Sequence, residues 1–320
     1  QRTFCMPVST ESDTDPGQPT LWSSSIDALA AGSDICIRNN EFSLITGPNH
    51  NAKRLIIVSS ANVDSYDVDH LANSDVSPIE DPGQSWNALT VGAFTQLDQE
   101  PHHPSYTNYT PLAPAGELSP HSRTSLLFGD HLWPIKPEIC LEGGNVLTDG
   151  QGFFETRPAV LSLRSTGIKN DVDLTSANAT SAATAQAARL AALTMSRYPS
   201  YWPESVRALL VHEARWTRPM QERLDACGKK KGERARLLRR YGWGVPTEEA
   251  VLTSSHRAVT MVVQDEFHPF DETYAMRELR LHALPWPRDV LQSLGEADVR
   301  LRITLSYFIE PSATRRGWKG

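Results

Sequence analysis

The sequence of 320 residues has few cysteines, no long apolar run and no excess of positive charge. Its four cysteines form no Cys-x-x-Cys pair and no Cys/His spacing typical of zinc sites, which excludes a zinc-bound scaffold. No apolar stretch approaches the ~20 residues that a transmembrane helix needs. The net charge of −7 disfavours nucleic acid as the main partner. We therefore expect neither nucleic acid nor a membrane as a partner.

The composition is that of a soluble globular protein. Hydrophobic residues make up 39% and charged residues 22% of the chain, and the length allows one large α/β domain plus a small annex. The separated cysteines (Cys5, Cys36, Cys140 and Cys227) predict buried free thiols in a reducing compartment, so we expect a cytoplasmic protein. The chain opens on Gln1 instead of a methionine, and we expect a segment before it.

Apolar strands alternate with helical patterns along most of the chain. Strands are predicted at 3–9, 35–37, 55–58, 88–94 and 137–141, and helices at 22–30, at 181–195 and from Pro203. This alternation predicts a parallel sheet with crossover helices. The run 181–195 is so rich in alanine that we expect other elements on every side of it. The polar stretch 101–125 predicts a surface loop, and the basic run 228–240 predicts a solvated face.

The pattern changes after residue 252. Five apolar residues alternate strictly with polar ones: Val299, Leu301, Ile303, Leu305 and Tyr307. Alternation with a period of two predicts a half-buried strand of an antiparallel sheet. The sequence therefore predicts two domains, an α/β domain over residues 1–252 and a small β-rich domain over residues 253–320.

Two polar residues stand where chemistry is possible. Ser181 begins the alanine-rich helix, whose free N–H groups and positive dipole end suit a developing oxyanion. Serine is also a common N-cap with no catalytic role, and the residue alone leaves both interpretations open. Asn62 follows the strand 55–58, and functional groups gather at the C-terminal ends of strands in open α/β sheets. Its side chain either donates to an oxyanion or hydrogen-bonds its own turn.

Six blocks of the chain resemble, in the same order, conserved segments of the subtilisin-like serine peptidases, the subtilase family. The blocks are Ile57–Asn62, Asn87–Ala93, Ser119–Ser125, Lys136–Ile139 continuing to Gly143-Gly144, Ala179–Ala183 and Tyr241–Gly244. The block around Ser181 resembles Gly-Thr-Ser-x-Ala, which carries the family's nucleophile, and the block ending in Asn62 resembles the strand that ends in Ala-Gly-Asn. The resemblance spans about residues 1–252, and residues 253–320 look like the C-terminal extension of some bacterial subtilases.

The resemblance implies a fold, an activity and a site. The fold is an N-terminally incomplete three-layer α/β domain around a parallel sheet, and the activity is that of a serine endopeptidase. Ser181 would attack the peptide carbonyl, while the Asn62 side chain and the Ser181 N–H would stabilise the oxyanion. The substrate would pair as an added strand with two flanking segments, one formed by Met6, Pro7, Val8 and Ser9 and the other by Ser59, Ser60 and Ala61.

The chain departs from the family pattern in two respects. The catalytic Asp and His of the family precede the segment that Cys5–Ser9 resembles, so we expect both in a segment before Gln1; His121 or His212 is an alternative base. Ala61 and Ala179 replace glycines, which serve where φ is positive or the backbone approaches a ligand. A catalytically inactive pseudo-peptidase that binds peptides or regulates is therefore the alternative function, and a different hydrolase or a structural α/β protein is a third.

Cofactors are not predicted. Calcium is a frequent structural ion of the family, but no acidic loop is specific enough to name its ligands, and no residue is assigned to a metal. The expected partners are a protein or peptide substrate, an upstream segment of the same polypeptide, and a partner ATPase.

Overall fold

A four-stranded parallel sheet forms the centre of the computed structural model of the chain. The structure describes residues 3–10, 17–38, 41–128, 134–169, 172–257, 260–271, 273–283, 287–298 and 300–310. The strands within these ranges are β1 Thr3–Met6, β2 Ile35–Arg38, β3 Glu41–Leu44, β4 Leu55–Ser59, β5 Leu89–Phe94, β6 Thr110–Pro111, β7 Ile139–Glu142, β8 Leu147–Thr148, β9 Phe154–Glu155, β10 Leu163–Lys169 and β11 Val172–Ala177. The α-helices are α1 Leu21–Ala30, α2 His70–Asp75, α3 Ala179–Arg197, α4 Pro203–Glu213, α5 Arg218–Ala226, α6 Lys231–Tyr241, α7 Glu248–Arg257 and α8 Arg288–Ser293.

The central sheet has the order β1-β4-β5-β7, and all its neighbours are parallel. Cys5 pairs with Ile57, which in turn pairs with Leu89, and Val91 pairs with Ile139. The carboxyl ends of these strands therefore meet at one edge of the sheet, where the segments after Met6 and Ser59 begin.

Alternate residues of β4 enter two separate cores. Leu55 and Ile57 pack with buried residues of α3 and α4, whereas Ile56 and Val58 pack with α1. Successive side chains of a strand point to opposite faces, so the sheet lies between α1 on one side and α3 with α4 on the other. Complete burial of such a side chain contributes about 1.5–3 kcal/mol. The three-layer α/β fold predicted from the sequence is confirmed.

The alanine-rich helix α3 is less enclosed than its sequence indicates. Its buried side carries Thr180, Ala183, Thr184, Ala187, Leu190, Ala191 and Thr194. An exposed stripe runs along the other side at Ala185, Arg189, Ala192 and Ser196. The expectation of neighbours on every side was wrong, because alanine fits a solvent-facing helix position as well as a crowded one.

The predicted surface loop 101–125 has two different halves. Residues 116–125 are all buried, although most of them are polar. The prediction of surface exposure is wrong for this half, because hydrogen bonds inside the protein replace those to water. The basic run behaves as predicted over residues 229–236, which are exposed, while Leu237 and Tyr241 turn inward.

Two further predictions need correction. The strand Ile35–Arg38 forms an antiparallel hairpin with β3 and does not join the central sheet. All four cysteines are free, as predicted, but only Cys140 is buried and Cys5 is exposed.

Residues 300–310 lie beside α4 and form no strand pairing in the described part of the chain. The Arg302 guanidinium donates to the carbonyls of Val211 and Ala214, and the Thr304 hydroxyl contacts His212 Nδ1 at 2.8 Å. The polar residues of the alternating pattern thus face the protein, and its apolar residues, such as Leu305, are exposed. Helix α7 spans the predicted boundary at residue 252, and the division into domains 1–252 and 253–320 stays a prediction.

The end of this segment is tied to the start of β5. Asn87 Nδ2 donates to Ile309 O at 2.8 Å, and Ile309 N donates to Asn87 Oδ1 at 2.6 Å. The Arg207 guanidinium donates to the carbonyls of Asn87 and Tyr307, and lies over the Phe308 ring at 5.3 Å.

In the described residues, no helix combines the length and the apolar character that crossing a membrane requires.

Candidate active site

Ser181 lies in the first turn of α3, and Asn178 occupies the N-cap position. The N-cap interpretation of Ser181 is therefore wrong. Ser181 is half-buried, and its Oγ donates to the carbonyl of Pro7 at 3.2 Å. Main-chain N–H groups of a first helical turn have no acceptor within the helix, and the N–H of Ser181 is one of them. A hydroxyl and a free N–H donor thus stand on one residue, beside the segment that follows β1.

Asn62 is connected to this helix by two hydrogen bonds. Its Oδ1 accepts from the Thr180 N–H at 3.0 Å and from the Thr180 hydroxyl at 2.7 Å. The alternative in which Asn62 hydrogen-bonds its own turn does not hold, since Thr180 lies 118 positions away. Within the described residues, Asn62 Nδ2 donates no hydrogen bond, and Asn62 is exposed. The carboxamide therefore presents its two N–H donors beside Ser181.

The two alanines that replace family glycines both have left-handed backbone. Ala61 has φ of 68° and Ala179 has φ of 66°. A non-glycine residue in this region costs about 1–2 kcal/mol, and such residues gather at functional sites. The Ala179 N–H donates to the carbonyl of Gly143 at 2.6 Å. Gly143 has no room for a side chain, because a Cβ there would lie 2.4 Å from Ala93 Cβ.

The proposed substrate-binding segments differ in exposure. Met6 is paired with Val58 in the sheet, whereas Val8 and Ser9 are exposed beyond the end of the edge strand β1. The Ser9 hydroxyl donates to Glu80 Oε2 at 2.8 Å. On the other segment, Ser59, Ser60 and Ala61 are each at most 2% exposed, main chain included, so they offer little contact surface.

Two histidines were candidates for the base, and neither hydrogen-bonds Ser181. His121 is buried, and the Tyr66 hydroxyl contacts its Nδ1 at 2.7 Å. Burial raises the pKa of Tyr66 to about 12, and burial with the charge of Arg157 lowers the pKa of His121 to about 4. A neutral His121 that accepts at Nδ1 carries its proton on Nε2, which has no partner in the described residues. His212 is bonded to Thr304, and burial lowers its pKa as well.

Metal ligation has little support in the described part of the chain. No group of three or more His, Cys, Asp or Glu side chains there is placed to hold a metal ion. Structural calcium, which uses carbonyl and carboxylate oxygens, stays a prediction without named ligands.

Several residues that shape this site are not singled out by sequence reasoning. Thr180 holds Asn62, and Asn178 Nδ2 donates to the carbonyl of Thr156 at 2.7 Å beside the helix start. Arg123 donates from Nε to the carbonyl of Asn62 at 2.6 Å. The block Ser119–Ser125 carried a signal in its resemblance to the family, but that signal assigns no role to Arg123.

Comparison with known proteins identifies a family for most of the chain. The sequence model of the subtilase family, peptidase family S8, matches residues 2–244. No curated protein matches the chain.

Two solved structures show a distant similarity. One is the epidermin leader peptide processing serine protease of Staphylococcus aureus, with 15% identity, a TM-score of 0.35, and coverage of 66% of this chain and 42% of that chain. The other is a protease of Pseudoalteromonas arctica PAMC 21717, with 12% identity, a TM-score of 0.39, and coverage of 72% of this chain and 57% of that chain. The chain thus spans about half the length of these proteins, and similarity of this degree carries no functional conclusion.

Proposed function

Since the chain belongs to the subtilase family of serine peptidases, we propose that Ser181 is the nucleophile and Asn62 an oxyanion donor in the hydrolysis of peptide bonds. One observation carries the proposal. The Asn62 carboxamide is fixed by its oxygen to Thr180, the residue before Ser181, so that its N–H groups stay free. An N-cap serine or an asparagine of a local turn would need neither contact.

The proposed reaction follows from these groups. A base takes the proton of Ser181 Oγ as this oxygen attacks the carbonyl carbon, and the electron pair of the C=O bond moves to the carbonyl oxygen. The resulting oxyanion accepts hydrogen bonds from Asn62 Nδ2 and from the Ser181 N–H. The C–N bond then breaks, the base returns its proton to the leaving amine, and water hydrolyses the acyl ester. Loss of one oxyanion donor in such a site costs about 2.7–4 kcal/mol.

The base and its orienting acid are proposed to be a His and an Asp from a segment before Gln1. The Ser181 hydroxyl donates to Pro7, and among the described residues no carboxylate or imidazole contacts it. Isolated residues 1–320 should then show negligible turnover. Rapid peptide hydrolysis by these residues alone would contradict this source of the base.

The substrate is proposed to be an extended peptide. It would lie between the segment after β1, with Pro7, Val8 and Ser9, and the segment after β4, with Ser59, Ser60 and Ala61. An edge strand offers unpaired main-chain groups to a peptide, which can join the sheet as a further strand.

A fluorophosphonate probe, which reacts with activated serines, tests the proposal on the complete product of the gene. We expect labelling of the wild-type protein and its loss in Ser181→Ala, while the control Ser165→Ala, at an exposed position of β10, retains it. Labelling that survives Ser181→Ala overturns the assignment of the nucleophile. A protein that binds peptides but is not labelled is a pseudo-peptidase.

A further inference from the structure

Arg123 lies buried beside the turn that carries Asn62. The residue is 4% exposed, and its guanidinium donates in four directions. Nε donates to Asn62 O at 2.6 Å and Nη1 to Pro78 O at 3.2 Å. Nη2 contacts Asp64 Oδ1 and Glu80 Oε1, each at 2.7 Å. One cation thus joins Asn62 and Asp64 of one loop to Pro78 and Glu80 of the neighbouring loop.

The Asn62 turn depends on support from outside itself. Ala61 holds φ of 68°, a conformation that persists only where the surroundings impose it. Asn62 forms an isolated bridge with Ser122, and the Val63 N–H donates to the carbonyl of His121 at 3.1 Å. The buried segment 119–124 therefore lies along the Asn62 turn, and the side chain of Arg123 connects this turn to the carbonyl of Pro78.

The geometry suits arginine and no other side chain. Guanidinium is planar and presents five N–H donors in a fixed fork, whereas lysine offers one compact ammonium that cannot span these acceptors. Two carboxylates form ion pairs with it: the side chain of Asp64 is 72% exposed and that of Glu80 is 12% exposed. Removal of the guanidinium would leave Glu80 and the Pro78 carbonyl largely buried without this partner.

We propose that Arg123 is a positioning residue for the oxyanion donor. It fixes the main chain of Asn62 from one side, while Thr180 fixes the Asn62 carboxamide from the helix side. This inference rests on the proposed function. Arg123 touches no reacting atom, so its effect on catalysis passes through Asn62.

A double-mutant cycle on the complete gene product tests this dependence. The variants are Arg123→Lys, Asn62→Ala and their combination, with kcat and KM measured on a peptide amide. Removal of an oxyanion donor lowers kcat by about 10²–10³-fold. For Arg123→Lys we expect kcat to fall by about tenfold or more, with KM little changed. In the Asn62→Ala background, Arg123→Lys should have almost no further effect on kcat. The control Arg236→Lys, on the exposed face of α6, should leave both constants unchanged.

The outcomes separate this inference from the proposed function. If Asn62→Ala retains wild-type kcat, the proposed function fails and the role of Arg123 fails with it. If Asn62→Ala lowers kcat but Arg123→Lys lowers it by the same factor in both backgrounds, only the positioning role is overturned. Should Arg123→Lys fail to fold, Asp64→Asn replaces it in the cycle, since Asp64 is exposed and orients the same guanidinium; additive effects of Asp64→Asn and Asn62→Ala again overturn the inference.

Discussion

The side-chain oxygen of Asn62 accepts two hydrogen bonds from Thr180, one from the N–H at 3.0 Å and one from the hydroxyl at 2.7 Å. An amide oxygen has two lone pairs, so this residue pair satisfies it completely. The orientation of the carboxamide is thereby determined, with its N–H groups left for another acceptor.

Replacement of Thr180 by valine should weaken catalysis with little change in fold. Valine keeps the branched shape at a fully buried position and the main-chain bond to Asn62, but loses the hydroxyl. A hydrogen bond contributes about 0.5–1.5 kcal/mol, so we expect kcat/KM of the complete enzyme to fall by up to about tenfold. Thr184→Val is the matched control, because its hydroxyl donates to the Thr180 carbonyl within the helix and not to Asn62. Equal losses in the two variants would contradict a specific role of the Thr180 hydroxyl.

Glycine at positions 61 and 179 should stabilise the protein. Ala61→Gly and Ala179→Gly each remove a cost of about 1–2 kcal/mol for positive φ, against a glycine entropy cost of about 0.5–1 kcal/mol. The free energy of unfolding in urea should therefore rise by up to about 1 kcal/mol for each substitution. Ala185→Gly, at an exposed position in the interior of α3, should lower it instead. Destabilisation by all three variants would argue against strain at Ala61 and Ala179.

Stability should decrease on acidification through the buried His121. Burial lowers the pKa of His121 to about 4, whereas an unfolded chain protonates histidine near pH 6.5. Between these values the unfolded state binds more protons, so the free energy of unfolding falls with falling pH by about 1.4 kcal/mol per pH unit for this group. His121→Gln should reduce that slope by about one proton. Burial also lowers the pKa of His70, so His70 still contributes to the pH dependence of the free energy of unfolding in the His121→Gln variant.

The comparison is made by urea unfolding of the wild type and His121→Gln at a series of pH values. Above pH 7 the two curves should run parallel, since His121 is neutral in both states there. Parallel curves also between pH 4.5 and 6.5 would show that His121 titrates alike in the folded and unfolded chain.

Arg207 should control the attachment of the segment 306–309. Its guanidinium donates to the Ser306 hydroxyl at 3.1 Å and to the Tyr307 carbonyl at 3.1 Å, while it also reaches the start of β5. Lysine cannot reproduce this fork, so Arg207→Lys should increase hydrogen exchange at the amide of Ile309. Arg189→Lys, at an exposed ion pair with Glu248, is the control. Unchanged exchange in Arg207→Lys would contradict this role of Arg207.

The strands of the central sheet could be predicted because their signal is local. The run Leu55–Ser59 is apolar at every position but the last, and a strand buried on both faces needs such a run. Ser181 and Asn62 could be named because the blocks around them resemble family segments. The hydrogen bonds between Asn62 and Thr180 could not be foreseen, because these two residues lie 118 positions apart.

The segment 116–125 shows why polar sequence can mislead. Ser122, Arg123 and Thr124 are typical of solvent-exposed loops, yet all are buried. Each has a hydrogen-bond partner distant in the chain: Ser122 Oγ accepts from the Ala93 N–H, Arg123 donates to the Asn62 carbonyl, and the Thr124 hydroxyl donates to the Ser74 carbonyl. Local composition records the need for hydrogen bonds but not whether water or protein supplies them. The same limit applies to residues 300–310, whose period of two is visible in the sequence although the face that turns inward is not.

The pairing of Asn87 with Ile309 has a consequence for the order in which the protein is made. The two residues are 222 positions apart. During synthesis, Asn87 at the start of β5 is therefore made long before Ile309, its hydrogen-bond partner. A ribosome adds about 5–20 residues per second, which puts roughly 10–45 s between the two. Throughout that interval the nascent sheet lacks the contact, and closure of so long a loop slows folding further. Synthesis of the segment that contains Ile309 is therefore the event that allows this end of the sheet to close.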